Sequence, residues 1–150
     1  MSTAKRAIDA KRTKDGKWTK ILLRTIDTPA WRHLPTKSQS LYMLIKLEWK
    51  GDKPNKNGKI ALSCRQAAKK MGVSVNTAAS AFRELQAKGF IVVTEPCWLG
   101  VEGEAKRQLY EITELPLPGK ERGRHLYASW SDGNDYPIIS PVNSKPRLKN

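Results

Sequence analysis

The chain has 150 residues, enough for one compact domain with length left over for flexible ends. A hydrophobic fraction of 39% supports a core and excludes a wholly disordered chain. Charge is lopsided: 28 Lys and Arg oppose 14 Asp and Glu, and the formal net charge of +14 favours polyanions, either nucleic acid or an anionic membrane surface.

A membrane fits poorly. The longest apolar stretch, LYMLIKL over 41–47, is far too short to span a bilayer and contains Lys46. The first residues are basic but lack the apolar segment of a secretory signal. Cys64 and Cys97 form no CxxC pair and neighbour no histidine pair, so neither a zinc site nor a disulfide framework is expected. A reducing, cytoplasmic compartment is the expectation.

Residues 1–20 carry seven Lys and Arg against Asp9 and Asp15, with few apolar residues, which predicts a mobile basic arm. Thr28 then offers an N-cap, Pro29 suits the first helical position, and Pro35 stops the short segment PAWRHL. Thr36, Lys37, Ser38 and Gln39 fit a capping box, with Thr36 as the cap. The helix that follows puts Leu41, Leu44, Ile45 and Trp49 on one face and ends at Gly51. Met43 and Leu47 widen that face, which suits burial on two sides or the contact of a homodimer.

A second capping box, Ser63 to Gln66, opens a shorter helix that ends at Gly72. Ser74 caps a third helix over about 75–88, which stops at Gly89 with Lys88 set against its C-terminal dipole. Two helices joined by a turn of about three residues containing glycine make a helix-turn-helix. Short β-like segments follow the same logic: KIAL at 59–62, FIVVT at 90–94 and QLYEIT at 108–113. A long loop, a wing at about 95–107, joins the last two and ends in Lys106 and Arg107. The order predicts an α+β fold, mainly α, over 21–130: a winged helix-turn-helix with a small antiparallel sheet. Residues 131–150 hold three prolines and no sustained period, the composition of a flexible tail.

On a helical wheel Val75, Ala78, Ala79, Phe82 and Leu85 fall in one stripe, and Asn76, Ser80 and Arg83 cluster opposite with Thr77 and Glu84 beside them. The small inner residues suit a close crossing with Ala67 and Ala68 of the preceding helix. The slim outer face suits a major groove, where Asn pairs with adenine, Arg with guanine, and Ser or Thr with bases or phosphates. The N-terminal end of a recognition helix points into the groove, which singles out Ser74, Asn76, Thr77 and Ser80. An ordinary polar helix face would carry the same residue types. The wing and the charge weigh against that alternative.

Arg65, Lys69 and Lys70 on the second helix, and Lys106 and Arg107 near the wing, stand where phosphates would pass, and Lys53, Lys56 and Lys59 add a basic loop. Signals of catalysis are lacking. No glycine-rich phosphate loop follows a strand, His33 and His125 have no metal-ligand spacing, and Glu102 and Glu104 are isolated. No enzyme activity, cofactor, metal or small-molecule ligand is expected.

The segments TPAWRHLPTKSQSLYMLIKLEWKG, NKNGKIALSCRQAAKKMGVSVNTAASAFRELQAKGFI and KRQLYEITELPLPG resemble helix-turn-helix proteins found in proteobacteria and on their plasmids and phages. The likeness covers about 28–130 and is most specific in the PAW segment, the NGKIALS stretch and the capped helix pair; the arm, the tail and the cysteines lie outside it. It implies a winged-helix domain that binds double-stranded DNA in transcriptional control, or in phage- and plasmid-type replication. Three readings stay open: a sequence-specific transcriptional regulator, a replication-initiation protein on origin repeats, and a protein-interaction module with incidental charge.

Overall fold

A side chain accepting from the first free backbone N–H groups starts three of the helices. The computed structural model describes residues 16–97 and 107–139. After α1 (Leu23–Ile26), Thr28 caps α2 (Pro29–Arg32) by accepting from Trp31 N, with Pro29 in the first turn. Ser63 and Gln66 form both halves of a capping box on α4 (Cys64–Met71), and Ser74 caps α5 (Val75–Ala87) through Thr77 N.

The long helix α3 (Thr36–Glu48) departs from its expected start. Its N-cap is Pro35, no side chain caps it, and Thr36 is already helical. The predicted capping box is absent because the cap position falls on Pro35, which has no side-chain acceptor, and Gln39 is engaged elsewhere. Ser38 Oγ donates to the Ala81 carbonyl on α5 at 3.3 Å, and Gln39 Nε2 donates to the Trp31 carbonyl at 3.1 Å. The buried face of α3 also differs. Leu41 and Ile45 are buried as expected, Leu44 and Trp49 only partly so, while Tyr42 and Lys46 are buried with them.

Strands β1 (Ile60–Ala61), β2 (Ile91–Glu95) and β3 (Leu109–Ile112) make one antiparallel sheet in the order β1-β3-β2. Tyr110 pairs with Ile60 on one side and Val93 on the other, and the register of β2 shifts between Val93 and Glu95. A 3-10 helix (Leu126–Ser129) closes the regular structure. The fold is therefore mixed α+β and mainly helical, with a small three-stranded sheet.

The helices meet over an aromatic centre. Phe90 stacks on Tyr127 with centroids 4.8 Å apart, and Trp31 and Tyr42 approach Phe90 at 5.7 and 5.2 Å. Beside it Asn57 ties the loop before β1 to β3: its Oδ1 accepts from Ile112 N at 2.7 Å, and its Nδ2 donates to the carbonyls of Ile112 and Leu115. Beneath it lies an ion pair in which Lys46 Nζ and the Tyr42 hydroxyl each donate to Glu114 at 2.8 Å.

The chain does not become a free tail at residue 131. Tyr136 N donates to the Ala87 carbonyl, the Tyr136 hydroxyl donates to the Leu126 carbonyl, and Ile139 N donates to Gln86 Oε1. Residues 131–139 form a strap over the C-terminal end of α5, so the expected flexible tail is corrected for these residues. The N-terminal arm through residue 15, the loop 98–106 and residues 140–150 lie outside the described residues. None of the described helices is long and apolar enough to cross a membrane.

Candidate nucleic-acid interface

Helices α4 and α5 are joined by three residues, and the joint depends on Gly72. Its φ of 72° lies in the left-handed region, and its N–H donates to the Ala68 carbonyl, as does that of Val73. The two helices pack through small residues, with Ala67 and Ala68 of α4 and Ala78 and Ala81 of α5 all buried. Phe82 and Leu85 continue the buried face of α5, and Phe82 stacks on Tyr110 of the sheet at 5.3 Å.

Two members of the expected inner stripe sit elsewhere. Val75 is 46% exposed and Ala79 is half-buried, while Ala81 takes a core position. The packed face of α5 begins one turn into the helix, so the apolar side chain of Val75 is left beside Asn76. The clue available in the sequence was its position as the first helical residue after the Ser74 cap.

The outer face of α5 is polar and partly prearranged. Ser74 Oγ accepts from Thr77 N at 3.1 Å and donates to Thr77 Oγ1 at 2.9 Å, so both hydroxyls serve the helix start. Arg83 Nη2 donates to Ser80 Oγ at 2.9 Å, which holds the guanidinium along the helix. Asn76 is exposed, and its amide has no side-chain partner among the described residues.

The flanking cations divide. Arg65 and Lys69 are exposed on α4 and form no ion pair among the described residues. Lys70 instead meets Glu48 of α3 at 3.3 Å. Arg107 is exposed at the foot of β3, whereas Lys106 lies outside the described residues. Lys53, Lys56 and Lys59 are exposed on the loop that Asn55 and Asn57 anchor to residues 112–116.

The start of α4, the outer face of α5 and the foot of the hairpin share one neighbourhood. Burial pushes the Cys64 thiol up, Cys97 adds to that shift, and the Arg83 guanidinium opposes it. All three residues are therefore within electrostatic reach of one another. Cys97 N donates to Gln108 Oε1, and Gln108 Nε2 donates to the Tyr110 hydroxyl, which fixes the hairpin foot. Both cysteines are free thiols. Among the described residues no group of three His, Cys, Asp or Glu is placed to hold a metal ion.

No protein-family profile, no curated protein and no solved structure matches this chain.

Proposed function

We propose that this protein is a sequence-specific double-stranded DNA-binding protein of the winged helix-turn-helix type, acting as a transcriptional regulator. In this reading the N-terminal half of α5 enters the major groove, and the β2–β3 hairpin lies along the adjacent backbone as the wing. The observation that carries it is the outer surface of α5. A slim edge of Asn76, Ser80 and Arg83 is exposed along the helix, flanked on α4 by the cations Arg65 and Lys69, which form no ion pair among the described residues. Asn76 suits adenine, Arg83 suits guanine or a phosphate, and the exposed Val75 suits a thymine methyl group. The net charge of +14 supports the same reading, because phosphate neutralisation dominates affinity for duplex DNA.

Selection of sites from a random duplex pool, followed by gel-shift titration, tests this. A regulator of this type returns a defined motif, and a palindromic motif would report a symmetric dimer. Absence of duplex binding at about 50 mM salt overturns the proposal, since phosphate contacts are strongest at low salt.

A further inference from the structure

The far end of β3 holds a feature that the nucleic-acid reading leaves unused. A cleft of about 490 Å³ opens between the segment before and within α1 and residues 114–125. Lys20 and Arg24 belong to one wall, and Arg122 and His125 to the other. None of the three cations Lys20, Arg24 and Arg122 has a carboxylate partner among the described residues.

The carboxylate on the floor is already spent. Glu114 takes a proton-donating partner on each oxygen, Tyr42 on Oε2 and Lys46 on Oε1, and the Lys46 and Glu114 side chains are 4% and 3% exposed. Its charge is balanced from behind, which leaves Glu121 as the one uncompensated carboxylate among three cations. Both walls are fixed. Lys46 Nζ also donates to the Lys20 carbonyl at 2.6 Å, which clamps the N-terminal wall to the floor. On the other side a Cβ at Gly123 would lie 2.5 Å from the Thr113 carbonyl oxygen and 2.7 Å from the Glu114 carbonyl carbon, so a glycine is required for the loop to lie on the end of β3. Its neighbours serve different places: Arg124 Nε donates to Glu111 Oε2 at 2.9 Å, while Arg122 lines the cleft. His125 holds a φ of 48°, a left-handed conformation that costs a non-glycine residue energy, and its N–H donates to Thr113 O at 2.8 Å. Burial pushes the Tyr127 hydroxyl up, its hydrogen bond with Thr25 opposes this, and the charges of Glu114 and Arg24 act on it in opposite directions.

We propose that this cleft binds a small phosphate-bearing anion between the guanidinium groups of Arg24 and Arg122. Planar guanidinium forks match phosphate oxygens two at a time, and a cleft of this volume is in the range of small-molecule sites. It is also distant from the proposed groove-reading residues. The Gly89 carbonyl, just past the end of α5, accepts from Thr113 Oγ1 at 2.6 Å, so this end of β3 meets the C-terminal end of α5. Asn76 is at the opposite end, about 18 Å along the helix axis.

The test is a titration of the full chain with pyrophosphate at about 150 mM salt, where long-range attraction is screened, followed by backbone amide shifts. The expected result is saturable one-to-one binding with shifts centred on Gly123 and His125. R24Q and R122Q, both at exposed positions, should each weaken it about tenfold, while K69Q, an equal loss of charge on α4, leaves it unchanged. Non-saturating shifts, shifts centred on α4 and α5, or equal weakening by K69Q overturn the proposal. Competition by a short DNA duplex for the same shifts also overturns it, since the cations would then be serving nucleic-acid phosphate. A chain that binds pyrophosphate here but no duplex leaves this site standing and removes the DNA reading.

Discussion

Lys46 illustrates how far a single residue departs from its usual habit. A lysine in the middle of an apolar helix stretch is ordinarily solvated, yet here its ammonium is buried against Glu114, 68 positions away in the chain. Removing one member of such a pair strands the other charge, which costs far more than the pair contributes while intact. K46M should therefore destabilise the fold by about 3–5 kcal/mol in urea denaturation, and K46M combined with E114Q should recover most of the loss because no unpaired charge remains. Equal stability of the single and double variants would show that Glu114 carries no stranded charge once Lys46 is gone, its carboxylate being satisfied by the Tyr42 hydroxyl and water. Asn76 is the opposite case, exposed and uncommitted. N76A should leave stability unchanged and relax discrimination at one base pair by about 1–3 kcal/mol in competition binding. A uniform loss across all sequences would make Asn76 a backbone contact.

At the scale of elements, local chemistry was readable and long-range commitments were not. Ser63 with Gln66 and Ser74 act within three residues of themselves, so their caps could be read from spacing alone. Thr36 to Gln39 has the same spacing and forms no box, because Pro35 takes the cap position, Thr36 is already helical and Gln39 bonds to the Trp31 carbonyl. The strap 131–139 was equally hidden. Its proline and glycine describe a loop, and remote partners, the carbonyls of Ala87 and Leu126 and the side chain of Gln86, hold it in place. Within the candidate interface the alternation of small and polar residues on α5 was legible, but the pairing of Lys70 with Glu48 and the exposure of Val75 depend on where neighbouring helices end. The Ser74 cap allows stability and binding to be separated. S74A should cost about 1 kcal/mol, whereas S74D keeps an acceptor for Thr77 N and suits the helix dipole. In thermal denaturation S74D should match the parent protein. In DNA titration it should bind more weakly than S74A, because the added carboxylate meets phosphate. Parent-like DNA affinity in S74D would place the start of α5 away from the backbone.

For the whole molecule the question is whether a charge of +14 acts as a diffuse field or through an oriented face. A diffuse field responds to the number of charges removed and is indifferent to their location, whereas an oriented face loses one counterion-releasing contact for each cation that touches phosphate. Three cations on α4 provide the comparison, since they lie within six residues of one another. Arg65 and Lys69 are exposed and unpaired among the described residues, while Lys70 is held at 3.3 Å by Glu48 on the side of α3. Fluorescence anisotropy with a selected duplex at about 50–200 mM salt gives the slope of log affinity against log salt, and each lost phosphate contact lowers that slope by about 0.9. R65Q and K69Q should each produce that decrement, and K70Q should produce much less, because its charge is already directed at a carboxylate. Identical decrements in all three would show attraction by the general field, in which case α5 would have no privileged orientation on the duplex. A decrement confined to Arg65 and Lys69 would instead align α4 along one strand, with α5 in the adjoining groove.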